Sequence, residues 1–97
     1  MDFEWDPDKN AANIRKHGID FHDAIRVFDG LVWEVAARYR ADEEPRWLAI
    51  AVQERALITV IFTWRGDNRR IISARRARRN ERATYRENFG HDPEGED

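Results

Sequence analysis

The chain has 97 residues, of which 41% are hydrophobic, and a formal net charge of −2 at pH 7; this size favours one domain with one modest core. It contains no cysteine, which excludes a disulfide framework and thiolate metal ligands. No apolar run approaches the roughly 20 residues that a membrane-spanning helix needs. Because the N-terminal stretch MDFEWDPDKN lacks the apolar region of a signal peptide, we expect a cytoplasmic protein without a membrane partner.

Two helices are predicted in the first third of the chain, each with its own start and stop signals. Asp6 is suited to cap the first helix, Pro7 fits its first position, and Gly18 fits a left-handed residue just past its end. In the segment GIDFHDAIRVFDG, Asp20 is the expected cap of a second helix that runs to Gly30. The two helices should therefore lie next to each other in the sequence with a very short connection.

The middle of the chain has the β-branched and aromatic content of strands. The segments LVWEVAA, RWLAIAV, ALITVIFTW and RRIISA predict an antiparallel sheet of about four strands, with RGDN as the turn of the last hairpin. A short edge strand is expected at Phe3–Trp5 and a C-terminal helix over Ala77–Phe89. The prediction is an α+β fold that forms a single domain over residues 1–89, followed by an acidic, frayed tail over residues 90–97.

The basic residues are concentrated in one block, Arg65–Arg86. This block holds nine arginines and two acids, a local net charge of +7, whereas the rest of the chain has a net charge of −9. A basic block in an acidic protein indicates an anionic partner, and the planar guanidinium group suits phosphate. Trp64 borders the block and could stack on a base, although tryptophans more often lie in the core.

One carboxylate and one tyrosine follow the densest run of arginines. On a helix, Glu81 and Tyr85 are four residues apart and lie on one face, next to a row formed by Arg78, Arg82 and Arg86. Internal cleavage of RNA needs a base, an acid and cations near the phosphate, and these residue types can supply all three. The alternative is structural: Glu81 would form ion pairs along the helix, and Tyr85 would belong to its packing stripe.

Three stretches resemble the BrnT family of toxins from bacterial type II toxin–antitoxin modules. They are FEWDPDKNAANIRKHGIDFHDAIRVF, LITVIFTWRG and RIISARRARRNERATY, and the resemblance extends over nearly the whole chain. It implies a RelE-like fold and a metal-independent endoribonuclease that inhibits translation by cleaving RNA. It also implies neutralisation by a BrnA-like ribbon-helix-helix antitoxin, with operator DNA bound only through that antitoxin.

The resemblance places the strand–helix junction on recurrent family positions and gives candidate roles to its residues. Arg75 and Arg79 are expected to bind phosphate and stabilise the transition state, and Glu81 is expected either to act as the base or to orient an arginine. Tyr85 or His17 is the candidate acid. The wider basic surface supplies the candidate RNA-binding residues, some of which could simply face solvent: Arg65, Arg70, Arg76, Arg78, Arg82 and Trp64.

His17 has two interpretations. It follows Lys16 and precedes Gly18, so it could be a cation that interacts favourably with a helix C-terminus. Alternatively it faces the active surface as an acid or base, because KHG is part of the family pattern. No two histidines have the spacing of metal ligands, and neither a metal nor another cofactor is expected.

Two classes of function use the basic block. The first is the ribonuclease toxin, and the second is a nucleic-acid-binding or antitoxin-binding module without catalysis of its own. A binding module would tolerate the change Glu81→Gln, whereas an enzyme would lose turnover and still bind RNA.

Overall fold

A computed structural model describes residues 2–38 and 41–90. The five strands are β1 (Asp2–Glu4), β2 (Val32–Ala36), β3 (Trp47–Gln53), β4 (Ala56–Arg65) and β5 (Asn68–Arg76). The helices are α1 (Pro7–His17), α2 (Phe21–Ala24), which continues as a 3₁₀ turn over Ile25–Asp29, and α3 (Arg79–Phe89).

The strands form one mixed sheet in the order β1-β5-β4-β3-β2. Strands β2 to β5 are an antiparallel meander, and β1 adds a parallel edge next to β5. The predicted α+β class, the four-stranded meander and the short N-terminal edge strand are therefore confirmed. The predicted domain extent over residues 1–89 stays a prediction. The predicted tail lies outside the described residues except for Gly90, which follows α3.

The N-terminal caps are as predicted. The side chain of Asp6 accepts a hydrogen bond from the backbone N–H of Asp8 at 2.9 Å, and Gly18 ends α1 in the left-handed conformation. The second helix differs, because α2 tightens into a 3₁₀ turn after Ala24 instead of continuing to Gly30. Its next residues include β-branched and aromatic side chains, which are poor helix formers.

The C-terminal helix begins two residues later than predicted. The backbone N–H of Ala77 donates to the carbonyl of Leu57 at 3.0 Å, which keeps the chain extended past the end of β5. Arg78 then has the extended conformation of a helix cap, and its N–H is bound by the Glu81 side chain. The basic block therefore turns sharply from sheet to helix at Ala77–Arg78.

The sheet has a helical layer on each face. The α2 side covers the larger core, which includes Phe21, Val60, Phe62 and Ile71. On the other face, α3 brings Tyr85 against Ile50 and Leu57, with Trp33 and Phe89 at the margin. Because side chains alternate along β4, one strand supplies both cores.

Asn13 fixes α1 against the sheet. Its side-chain amide donates to the carbonyl of Ala74 at 2.9 Å, and its side-chain oxygen accepts from the N–H of Ala74 at 3.2 Å. The same amide also donates to the carbonyl of Ile19 at 2.9 Å. This one buried side chain thus satisfies the backbone hydrogen-bonding groups of Ala74 on the outer edge of β5, which the short strand β1 does not reach. It also holds the last turn of α1 beside the end of β5.

Within residues 2–38 and 41–90, no helix is long and apolar enough to cross a membrane. The expected cytoplasmic location stays a prediction.

Candidate functional site: a basic strand–helix junction

Ion pairs join arginines of the basic block to carboxylates on neighbouring elements. The pairs are Arg65–Glu44 at 3.1 Å, Arg69–Glu34 at 2.7 Å, Arg70–Glu4 at 2.8 Å and Arg75–Glu81 at 2.7 Å. Three of the carboxylates come from outside the block. The strand–helix junction and α3 carry five more arginines: Arg76, Arg78, Arg79, Arg82 and Arg86.

Three predicted RNA-binding residues lie at the opposite end of the β4–β5 hairpin. Arg70 precedes Arg75 by five strand positions, which corresponds to about 16 Å. Trp64 and Arg65 lie nearer still to the turn, opposite Arg69 and Asn68. Trp64 is 39% exposed, and its ring packs on the Arg69 guanidinium at 4.6 Å. The structure therefore does not bring these three residues together with the strand–helix junction.

Glu81 is the centre of a buried polar cluster. Arg75 donates to both of its carboxylate oxygens, from Nη1 at 2.7 Å and from Nη2 at 2.9 Å. The Thr59 hydroxyl donates at 2.9 Å and the backbone N–H of Arg78 at 2.7 Å. The cluster ties β4, β5 and the start of α3 to one carboxylate that is only 6% exposed. Thr59 and Arg75 are cross-strand neighbours, which brings both donors to the same face.

The ionisation of Glu81 follows from these contacts. Burial by itself raises the pKa of the carboxyl, but the hydrogen bonds from Arg75, the Arg78 backbone and Thr59 outweigh it and lower the pKa to about 2. The carboxylate is thus ionised near neutral pH, but a group with so low a pKa is a weak base there. This geometry supports the orienting role among the two that the sequence left open.

Tyr85 lies one helical turn beyond Glu81 and is only 1% exposed. Its ring meets Phe89 at 4.8 Å between centroids and packs with Ile50 and Leu57. Burial raises the pKa of its hydroxyl. The structure therefore places this candidate acid in the core between α3 and the sheet, and the packing interpretation fits its surroundings.

The exposed side of α3 carries the remaining arginines. Arg79, Arg82 and Arg86 line an open groove of about 420 Å³, with Ala77 at its end. Their spacing of three and then four residues places them on one helix face. Arg78, the helix cap, is exposed but is not part of this groove. The small Ala77 side chain leaves space at the point where strand turns into helix.

His17 and Arg76 lie on the other side of the β5 end. Both line an open cleft of about 430 Å³ between the C-terminus of α1 and the β3–β4 hairpin, together with Glu54 and Arg55. Partial burial and the positive charges of Lys16 and Arg75 lower the pKa of His17. The lowered pKa disfavours the charged imidazolium, which is the form that would interact favourably with the helix C-terminus.

Arg55 was not among the residues predicted for the site. It lies in the two-residue turn of the β3–β4 hairpin, after Glu54, whose φ of 60° is in the left-handed region. This is the one non-glycine residue with positive φ among those described. Across the described ranges, no group of three or more histidine, cysteine or acidic side chains could hold a metal ion.

The fold and the basic junction define a small α+β protein with an arginine-rich surface suited to a polyanion, and comparisons with known proteins identify its family. The family model described as "Ribonuclease toxin, BrnT, of type II toxin-antitoxin system" matches residues 5–81. A crystal structure of the Brucella abortus ribonuclease toxin BrnT is similar with a TM-score of 0.62 and 33% identity, covering 81% of this chain and 99% of that chain. No curated protein sequence gives a match. The chain belongs to the BrnT family of ribonuclease toxins, as predicted, and membership in a type II module implies an antitoxin partner and an RNA target.

Proposed function

We propose that this BrnT-family toxin cleaves RNA internally and without a metal, by attack of a 2′-hydroxyl on the adjacent phosphate. The observation that carries this proposal is the concentration of five arginines around one strand–helix junction, next to a groove and a cleft that a flexible strand can enter. Arginine side chains can balance the charge that develops on the phosphate oxygens during such a reaction. Cleavage of messenger RNA in this way would inhibit translation.

Within this proposal, the buried cluster is a support for the junction. Glu81 holds Arg75 and the first turn of α3 in place, and Tyr85 fastens the helix to the sheet. Arg79, Arg82 and Arg86 then bind RNA phosphates along the groove. Arg75 acts mainly by fixing this geometry, because both ends of its guanidinium are engaged with Glu81.

The experiment is cleavage of a single-stranded RNA by the purified toxin in excess EDTA, followed by analysis of the product ends. We expect 2′,3′-cyclic phosphate or 3′-phosphate ends together with 5′-hydroxyl ends. Loss of activity in EDTA that Mg²⁺ restores, or products with 5′-phosphate ends, would contradict the proposal. The same RNA with a 2′-deoxy nucleotide at the cleavage position is the substrate control, and it should remain intact.

The proposed partner is a BrnA-like antitoxin with a ribbon-helix-helix domain, which alone would contact operator DNA. The antitoxin would cover the arginine groove with an acidic segment, so that toxin–antitoxin binding weakens as salt rises. Crosslinks between the antitoxin and Arg79–Arg86 are expected. Crosslinks confined to α1 and α2 would contradict this arrangement.

One observation favours the second candidate function, a binding module without catalysis. Both Glu81 and Tyr85, the acid–base candidates on α3, are buried at 6% and 1% exposure. The RNA experiment separates the two functions, because a binding module would bind the RNA without producing new ends.

A further inference from the structure

The cleft beside His17 is built by three separate elements. His17 ends α1, Arg76 ends β5, and Glu54 and Arg55 form the turn between β3 and β4. These residues are far apart in the sequence, and the meander brings them to one end of the sheet. The cleft lies on the α1 side of β5, whereas the Glu81 cluster and α3 lie on the other side.

The anchor at Asn13 explains why His17 and Arg76 line the same cleft. Asn13 binds both backbone polar groups of Ala74. Four residues further along α1, a rise of about 6 Å leads to His17 on the same helix face. Two residues further along β5, a rise of about 6.6 Å leads to Arg76 on the same sheet face. The rise along the helix and the rise along the strand are nearly equal, so the imidazole of His17 and the guanidinium of Arg76 lie at the same end of the sheet.

The hairpin supplies the second cation of the cleft. Gln53 pairs with Ala56, so the turn contains only Glu54 and Arg55. Glu54 has the left-handed backbone conformation that a two-residue hairpin turn favours at its first position, even though glutamate lacks the freedom of glycine there. The turn thus places Arg55 in the wall of the cleft that His17 also lines.

We infer that this cleft holds the reacting phosphate of a single-stranded RNA, with Arg55 and Arg76 binding its oxygens and His17 acting as the base. The inference rests on the proposed ribonuclease function and names its catalytic centre. The groove along α3 then binds neighbouring phosphates of the same strand. In this arrangement the reaction does not require the hydroxyl of Tyr85 or the carboxylate of Glu81.

The reaction balances with the residues present and water. The His17 imidazole takes the proton of the 2′-hydroxyl, and the 2′-oxygen bonds to phosphorus while the bond from phosphorus to the 5′-oxygen breaks. The 5′-oxygen takes a proton from solvent water, and the resulting hydroxide is neutralised by the proton that the imidazolium returns to solvent. The products are a 2′,3′-cyclic phosphate and a 5′-hydroxyl. Arg55 and Arg76 stabilise the extra negative charge of the phosphorus centre.

His17 has the protonation state that a base requires. The charges around it are Lys16 on its own helix, Arg75 and Arg76 on β5, and Glu54 and Arg55 on the hairpin. Partial burial and the cationic neighbours Lys16 and Arg75 lower the pKa of His17, which favours the neutral imidazole that a base requires. Cleavage should therefore be lost as the pH falls and His17 becomes protonated.

The test compares single-turnover cleavage of a short RNA in EDTA, RNA affinity by fluorescence anisotropy, and thermal melting. We expect His17→Ala to lower the cleavage rate about 100-fold or more while RNA affinity stays within about threefold, with partial rescue by added imidazole. Arg55→Gln and Arg76→Gln should each lower the rate by at least about tenfold. Arg46→Gln, which removes the same charge from an exposed site near the opposite end of β3, is the matched control and should cleave within about threefold of the parent.

Failure of the cleft and failure of the proposed function give different results. If the parent cleaves in EDTA and folded His17→Ala or His17→Gln cleaves within about threefold of it, the cleft assignment is overturned while the ribonuclease function stands. Equal losses for Arg46→Gln and Arg55→Gln would overturn the phosphate-binding assignment, because net charge alone would then explain both. If the parent binds RNA without cleaving it, the proposed function and the cleft assignment both fail.

Discussion

Glu81→Gln tests whether the buried carboxylate is a structural support. The glutamine keeps the size of the side chain but removes the charge that Arg75 contacts through two hydrogen bonds. The pKa of Glu81 falls from its ordinary value near 4.5 to about 2 in the folded protein. At about 1.4 kcal/mol for each pKa unit, the ionised carboxylate contributes about 3 kcal/mol to the free energy of unfolding. Breaking a buried pair by removing one partner typically costs about 3–5 kcal/mol, which agrees.

The stability difference between the parent and Glu81→Gln should also depend on pH. Because the folded pKa is lowered, the contribution of Glu81 is complete above about pH 4.5 and is lost as the pH falls towards 2. The difference in unfolding free energy between the parent and Glu81→Gln should therefore be about 3 kcal/mol at pH 7 and less than half of that at pH 3. Urea unfolding followed by tryptophan fluorescence at several pH values measures both quantities.

Two further variants make the result specific to the cluster. Glu44→Gln removes the partner of Arg65 in an exposed ion pair, and such pairs contribute only about 0.2–1 kcal/mol. The double variant Arg75→Gln, Glu81→Gln should recover part of the loss, because it leaves no buried charge without its partner. A Glu81→Gln protein within about 1 kcal/mol of the parent at pH 7 would refute the reasoning, as would a difference that does not shrink on acidification.

Three other predictions concern the supports of the site and its charge. Glu54→Gly should raise the free energy of unfolding by about 0.5–1 kcal/mol. The glycine relieves about 1–2 kcal/mol of strain at the positive φ, and this gain exceeds the cost of the greater conformational freedom that glycine gives the unfolded chain. An unchanged urea midpoint would contradict this. Asn13→Ala should lower the free energy of unfolding by about 2–4 kcal/mol, because the substitution leaves both backbone polar groups of Ala74 without their partner. The control Asn88→Ala, at an exposed site, should lower the same free energy by less than about 0.5 kcal/mol. Arg82→Gln should weaken RNA binding equally for unrelated sequences and reduce the slope of log affinity against log salt by about 0.7; sequence-dependent losses would contradict a phosphate-binding role.

Local signals were sufficient for most of the fold. Asp6 and Asp20 cap their helices as predicted, and Gly18 ends α1, because each of these motifs is completed within a few residues of the chain. The strands were recognisable from their β-branched and apolar content. The 3₁₀ turn after Ala24 was not predicted, although the poor helix propensity of the β-branched and aromatic residues that follow was a local signal for it.

The site was less predictable, because its residues come together only in the folded sheet. The density of arginines near Glu81 was visible in the sequence, but Thr59 is a cross-strand neighbour of Arg75 and carries no signal of its own. Arg55 also could not be predicted from the sequence, since its inferred role in phosphate binding depends on the conformation of Glu54 and on the position of α1. The burial of Arg69, by contrast, could have been predicted. It lies two residues before the buried Ile71, and strand alternation points both side chains to the same core face.

The distribution of ion pairs explains how a chain with a net charge of −2 can present a basic surface to RNA. Glu4, Glu34 and Glu44 all lie outside the basic block, and each contacts an arginine at the end of the hairpin farthest from α3. Opposite charges in contact cancel within a short distance in salt solution, so that end contributes little to the long-range potential. Glu81 pairs with Arg75, which lies beneath the junction. In the proposed function, the potential that RNA meets first would therefore be set by the groove on α3 and the cleft beside His17. If the proposed function holds, the positions of the carboxylates, rather than the number of arginines, decide which end of the sheet attracts RNA.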